Sequence, residues 1–299
     1  MQFFSLLNAN AQEALCSWLS APSVERGRQM LFRRTYTDGL DIAEARVTIA
    51  SKGLFRLFVN GRAVFTSYVL GDKLAASGNY DIYNVDVGAY VRRDSNTVAV
   101  WYAPELTTPI ASSENEKAMF ALCFYGTYVS GEHFSHISDS TWLCAQSNVL
   151  STSEGEKNNS IEYLQDWNTS VPSVQMKWNG AEESGFCPIG TTSSDVYKDF
   201  SDCRIDVLSP GHFDVSDDSK TISYDFGNGF FGTFRFTVRG AKAGERIWAN
   251  GSEYVCSGVL DEQFIGRFVH KSIRKIVISG DDSFRKTHIV KVEGLAISY

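Results

Sequence analysis

Trp101, Tyr102, Trp142, Trp167, Trp178 and Trp248 are the side chains best equipped to hold a ligand. An indole offers a broad apolar face and one N–H donor. Those two features suit stacking on a pyranose ring and fixing one of its hydroxyls. Trp101 and Trp142 fall in apolar, strand-like runs, where burial in a core is the simpler reading. Trp167 and Trp178 fall among Ser, Thr, Asn, Glu and Gly and are the preferred exposed candidates; packing over a sheet face is the competing reading. Arg56 alternates with Phe55 and Leu57, so in a strand it faces away from both. It either hydrogen-bonds sugar hydroxyls or covers the outer sheet face. The expected carbohydrate-binding set is Trp167, Trp178, Trp101 and Arg56.

Glycoside hydrolysis needs two carboxyls flanking the scissile bond, one protonated and one ionised. The free-standing candidates are Glu154, Glu156, Glu162 and Asp166, with Asp261 and Glu262 nearer the end. Glu162 and Asp166 share a face only if residues 161–167 are helical. The simpler reading of all six is solvated surface charge. His133-x-x-His136 would put two metal ligands together on a helical turn, but in a strand the two point to opposite faces. Asp214, Asp217 and Asp218 offer oxygen ligands without the twelve-residue calcium-loop pattern. The expectation is therefore no catalytic residue, no cofactor and no metal, with a structural calcium at the aspartates as the alternative. There is no Gly-x-Ser-x-Gly elbow for a serine nucleophile and no phosphate-binding glycine loop.

Composition narrows the partners. The net charge is −7 with no basic stripe, which disfavours nucleic acid and an anionic membrane surface. Aromatics reach 13%, which suits pleated sheets as well as sugar platforms. Cys16, Cys123, Cys144, Cys187, Cys203 and Cys256 are scattered without a C-x-x-C pair, so buried free thiols are expected in place of a zinc knuckle. The first ten residues lack a basic region followed by a long apolar stretch, and no run of about 18 apolar residues occurs. As given, the chain is expected to be cytoplasmic, or secreted or periplasmic if a leader has been removed.

The elements that must position these groups are strands. A short helical turn is expected at 11–19. Strand-like alternation continues at 30–36, 45–50, 54–59, 81–90, 97–102, 118–125 and 141–149. Asn60-Gly61 separates two such runs, 54–59 and 63–69, and predicts a type I′ hairpin, since that turn needs φ > 0 at both central residues. Residues 151–202 lose the pattern and turn polar. It returns from Ile205, with runs at 230–238, 246–249, 273–278 and 288–297. Gly227-Asn228-Gly229 inside a strand pattern predicts a bulge. Short strands without intervening amphipathic helices predict an all-β chain of two jelly-roll-like β-sandwiches. The expected division is 1–150 for the first sandwich, 151–203 for a polar connecting region and 204–299 for the second sandwich.

Several stretches, taken in order, resemble the N-terminal region of bacterial α-L-rhamnosidases. They are Phe32-Arg33-Arg34-Thr35-Tyr36, Arg56-Leu57-Phe58-Val59-Asn60-Gly61, Tyr83-Asn84-Val85-Asp86-Val87 and Asn96-Thr97-Val98-Ala99-Val100. Ser138-Asp139-Ser140-Thr141-Trp142 is similar to the family's T-D-x-x-W, and Gly155-Glu156 to the start of its G-E-x-Y-D-A-R stretch. Tyr224-Asp225-Phe226-Gly227-Asn228 and Arg267-Phe268 through Ile276 complete the set. Departures fall at polar and aromatic positions: Trp101-Tyr102 replaces a Gly-Trp pair, and Asn158-Asn159-Ser160-Ile161 replaces Tyr-Asp-Ala-Arg character.

The resemblance implies galactose-binding-like β-sandwich domains of the kind that precede a helical catalytic barrel. The family's catalytic carboxyls lie in that barrel, and the chain stops at Tyr299, where the barrel would be expected to begin. The resemblance thus implies a carbohydrate-associated accessory protein that binds a glycan, by analogy a rhamnose-containing one, without hydrolysing it. One alternative is a fragment or subunit of an α-L-rhamnosidase-like hydrolase that needs a separate catalytic domain as partner. The other is a structural or assembly protein that kept the fold and lost the sugar.

Overall fold

Asn60 and Gly61 both adopt positive φ, 53° and 82°, and close the predicted hairpin. The Asn60 side chain is itself buried. Its Nδ2 donates to the Tyr90 carbonyl and to Asn96 Oδ1, and its Oδ1 accepts from the Thr97 amide. The turn is thereby fixed to the neighbouring strand as well as to itself.

A computed structural model of the chain describes residues 18–64, 82–104, 119–162, 165–171, 176–184, 204–216 and 220–298. The described strands run β1 (Trp18–Ser20), β2 (Arg28–Tyr36), β3 (Ile42–Ser51), β4 (Leu54–Val59), β5 (Arg62–Ala63), β6 (Ile82–Asp86) and β7 (Asn96–Ala103). Then come β8 (Phe120–Tyr128), β9 (His133–Ile137), β10 (Leu143–Ser151), β11 (Glu156–Asn159), β12 (Asn179–Gly180), β13 (Glu182–Ser184) and β14 (Arg204–Leu208). The last are β15 (His212–Val215), β16 (Thr221–Arg239), β17 (Arg246–Ala249), β18 (Ser252–Val255), β19 (Asp261–Ile265), β20 (Lys271–Gly280) and β21 (Ile289–Ser298). Only three-residue 3-10 turns interrupt them among the described residues, so the chain is all-β. Residues 11–17 and 65–69, where part of a helical turn and part of a strand are expected, lie outside the described residues; Trp18 and Leu19 are strand.

The chain divides into two compact units. One draws on Met1–Phe65, Leu70–Ser147 and Leu164–Ser201, the other on Thr66–Val69, Asn148–Tyr163 and Asp202–Tyr299. The stretch expected as a polar connecting region supplies β11 to the second unit, and Trp167, Met176, β12 and β13 to the first.

In the first unit, β13-β1-β8-β3-β6 form one sheet, with β9 also on β8. A second layer contains β2-β7-β4-β5. Alternate residues of each sheet meet between them: Val47, Ile49, Phe120, Leu122 and Phe124 from one, Phe32, Phe55, Leu57, Val98 and Val100 from the other. Phe32 crosses Phe120 edge to face at 5.0 Å, and Trp142 packs on Phe120 at 5.8 Å. Each such side chain contributes roughly 1.5–3 kcal/mol by leaving water.

In the second unit, β16 runs through both halves of the fold. Its first part pairs with β20 and β15, its last part with β21 and β19. It is longer than the expected run at 230–238 because the glycines absorb a bulge without ending the strand. The register shifts between Asp225 and Phe230, where Gly227 and Gly229 take φ of 65° and 82°. The core of this unit holds Ile222, Phe234, Phe236, Tyr254, Phe264, Ile273, Ile276 and Ile278, with Phe236 stacked on Phe264 at 5.0 Å. Cys123, Cys144 and Cys256 are buried thiols; Cys16, Cys187 and Cys203 lie outside the described residues.

Candidate carbohydrate-binding surface

β2, β7 and β4 alternate between the core and an outer face. Phe55, Leu57 and Val59 point inward, which sends Arg56 and Phe58 outward; Val98 and Val100 point inward, which sends Ala99 and Trp101 outward. Register then fixes the neighbours: Trp101 lies between Leu31 and Arg56, and Ala99 between Arg33 and Phe58. Ala99 fills little of that face. Trp167 lies over it edge to face, 5.3 Å from Phe58 and 6.1 Å from Trp101. Trp101 Nε1 donates to Gln29 Oε1 at 2.8 Å. The Arg56 guanidinium lies over Phe58, 5.4 Å from its ring centre.

The structure therefore brings Trp101, Trp167 and Arg56 together, as a second packed layer. Trp101 and Trp167 are 8% and 6% exposed. The expectation that Trp167 is exposed fails, because the sheet's outer face is apolar enough to bury it. Trp178 differs: it is half-buried, and its Nε1 has no hydrogen-bond partner among the described residues. Arg33 sits 5.6 Å from the Trp178 ring centre. It is 4% exposed, and burial pulls its pKa below the usual guanidinium value. Its Nη2 donates to Thr35 Oγ1 at 3.1 Å, while Nη1 has no partner among the described residues.

The most exposed tryptophan among the described residues is Trp248, at 39%, on the outer face of the second unit's sheet. It faces Glu253 on β18 and Ser279 on β20, and Glu253 is ion-paired to Arg246 and Lys157. The sequence marks Trp248 by type, and its exposure is also legible there: Ile247 and Ala249 are core residues, so alternation places Trp248 outward. Arg33 lies within the quoted Phe32-Arg33-Arg34-Thr35-Tyr36 stretch, but nothing there marks it as a ligand contact; its other signal is a cation beside the apolar run Met30-Leu31-Phe32.

The candidate carboxyls do not assemble into a pair. Glu156 is buried and accepts from the amides of Arg267 and Phe268 at 2.8 and 3.1 Å. Glu262 is buried and accepts from Tyr254 Oη, the Ser257 amide and hydroxyl, and the Gly258 amide. Asp261 is exposed and paired with Arg239, which holds it below the usual carboxylate range. Glu154, Glu162 and Asp166 are exposed; Ser160–Glu162 is a single 3-10 turn and Asp166 has positive φ, so no shared helical face forms.

His133 and His136 lie on β9, where alternation sends them to opposite faces. His133 Nδ1 bonds Thr127 Oγ1, and His136 Nε2 bonds Asp38 while its ring stacks on Tyr36. Among the described residues no group of three His, Cys, Asp or Glu side chains is placed to hold a metal ion. Asp214 pairs with His212, and Asp217 and Asp218 lie outside the described residues.

A family model described as the alpha-L-rhamnosidase N-terminal domain matches residues 40–194. The chain is similar in structure to the alpha-L-rhamnosidase of Dictyoglumus thermophilum, with a TM-score of 0.79 and 18% identity, over 94% of this chain and 35% of that one. The alfa-L-rhamnosidase of Aspergillus terreus gives 0.74 and 16%, over 94% and 36%. The Streptomyces avermitilis alpha-L-rhamnosidase, solved with L-rhamnose, gives 0.70 and 16%, over 94% and 29%. At these identities the likeness is one of fold, and the chain spans about a third of the length of the solved structures it matches. No curated protein sequence matches it.

Proposed function

The chain belongs to the alpha-L-rhamnosidase N-terminal domain family, and from that membership we propose that it is a carbohydrate-associated protein that binds a glycan without hydrolysing it. One observation carries the reading. Trp178 stays half-buried, with an indole N–H that has no partner among the described residues, against Arg33, whose strand face also carries Trp101 and Arg56. In this reading Trp178 supplies the stacking face, Arg56 a donor to sugar hydroxyls, and Trp101 and Trp167 the rigid support. The six candidate carboxyls are committed to structural donors or stand apart in solvent, so this reading draws on none of them.

A glycan array probed with the whole chain, including rhamnose-capped polysaccharides, tests it. The expected result is a hit that disappears in Trp178→Ala and persists in Trp248→Phe. No binding at high protein concentration overturns it. A second reading has its own support, since each matched rhamnosidase is about three times as long. In that reading the chain is a non-catalytic part of a glycoside hydrolase. Its signature is rhamnoside hydrolysis that appears only when a separate catalytic domain is added.

A further inference from the structure

Building on the glycan-binding reading, we propose that Arg33 and Trp178 together receive a carboxylate, so that the bound glycan carries uronic acid. The argument begins with donors that lack acceptors. Arg33 is 4% exposed, yet its Nη1 has no partner among the described residues. The Trp178 indole N–H, on the ring over that guanidinium, has none either. Buried donors are nearly always satisfied, and an unmet one is destabilising, more so when charged. Two unmet donors on side chains in contact suit one group with two acceptor oxygens.

Charge decides which group. Among the described residues no carboxylate pairs with Arg33, although a buried cation is stable only when paired or stacked. The indole face stacks on it but returns no acceptor. A sugar hydroxyl brings no charge to offset that of Arg33. A carboxylate brings a full negative charge and two oxygens in one plane.

Orientation is also set. Nη2 is tied to Thr35 Oγ1, which is in turn bonded to Thr97 Oγ1 at 2.8 Å. The free edge of the guanidinium is therefore held in place before a ligand arrives, which lowers the ordering cost of binding.

Calorimetric titration of the whole chain tests this with short oligomers of galacturonic acid, the same oligomers carboxyl-reduced to galactose, and a sulfated galactan of equal length. The acid form is expected to bind about tenfold tighter than the reduced form and than the sulfated one. In Arg33→Gln, shown folded by its melting curve, the acid and reduced forms bind alike. Trp178→Phe keeps the ring, removes the N–H and cuts the acid preference severalfold, and it serves as the test if Arg33→Gln does not fold.

Equal binding of acid and reduced forms in the parent chain overturns the carboxylate assignment and leaves glycan binding standing. So does a preference that survives either substitution, or sulfate binding as well as carboxylate. Failure of every oligomer, together with a blank glycan array, overturns both readings.

Discussion

Glu156 shows how a residue legible by type is illegible by role. Gly155-Glu156 and Arg267-Phe268 are two separate resemblances in the sequence, and in the fold they touch: the Glu156 carboxylate accepts both of the later amides. Nothing local in either segment signals a partner more than a hundred residues away. Glu156→Ala should destabilise the chain by roughly 3 kcal/mol, because two amides lose their acceptor in a site that is 1% exposed. Glu156→Gln should cost about half as much, since one oxygen remains; urea unfolding at neutral pH measures both. His270 makes a second residue-scale prediction. Burial pushes its pKa down to about 4, and its Nε2 has no partner among the described residues. The folded state therefore keeps the ring neutral while the unfolded chain takes up a proton near pH 6.5. Stability from this residue is complete above about pH 6.5 and is lost as the pH falls toward 4, by about 3 kcal/mol in all. Asp225, Asp261 and Glu293, whose pKa values are held low by their partners, also weaken the fold in acid. The informative quantity is thus the difference between the parent chain and His270→Leu at pH 7.5 and 4.5. A variant with the same acid sensitivity as the parent would show that the ring does not stay neutral.

At the scale of elements, period-two alternation makes most strands readable, and it even fixes which way each tryptophan points. It does not show whether the outward face is covered. Trp101 alternates with Val100 and so must leave the core, but Trp167, from a distant polar segment, lies over it. Whether a distant polar segment folds back over a sheet is decided by packing, which no local pattern records. Trp248 is outward by the same rule and stays uncovered. Trp248→Phe should therefore remove the most acrylamide-quenchable part of the fluorescence, while Trp18 and Trp142, both at 0% exposure, remain protected. Unchanged quenching would place Trp248 under cover. The entry to β11 makes a steric prediction. A Cβ at Gly155 would run into Ser252 Oγ and lie 2.8 Å from the Gly251 carbonyl carbon. Gly155→Ala should lower the melting temperature by several degrees, roughly 1–3 kcal/mol, by pushing β11 off β18. Melting at the parent temperature would show that the backbone yields without loss.

For the whole molecule, the order of weak motifs is the readable signal, because a shared fold preserves sequence order while each strand pattern alone is common. The ligand is not readable at that scale, since function lies in sites and not in folds. Net charge supplies a last test. The chain carries −7, and a uronic acid oligomer is also negative. At long range the two repel, and that repulsion is what salt screens, over about 10 Å at 0.1 M. The attraction proposed at Arg33 acts between a 4% exposed guanidinium and a ligand in contact with it, where screening is weak. Raising salt from about 20 to about 200 mM should therefore leave the affinity for galacturonate oligomers within roughly threefold, or strengthen it slightly. Binding through a diffuse cationic surface behaves in the opposite way, weakening steeply as counter-ions compete. Titrations across that range separate the two, and a tenfold loss of affinity would move the binding site from Arg33 to exposed lysines and arginines.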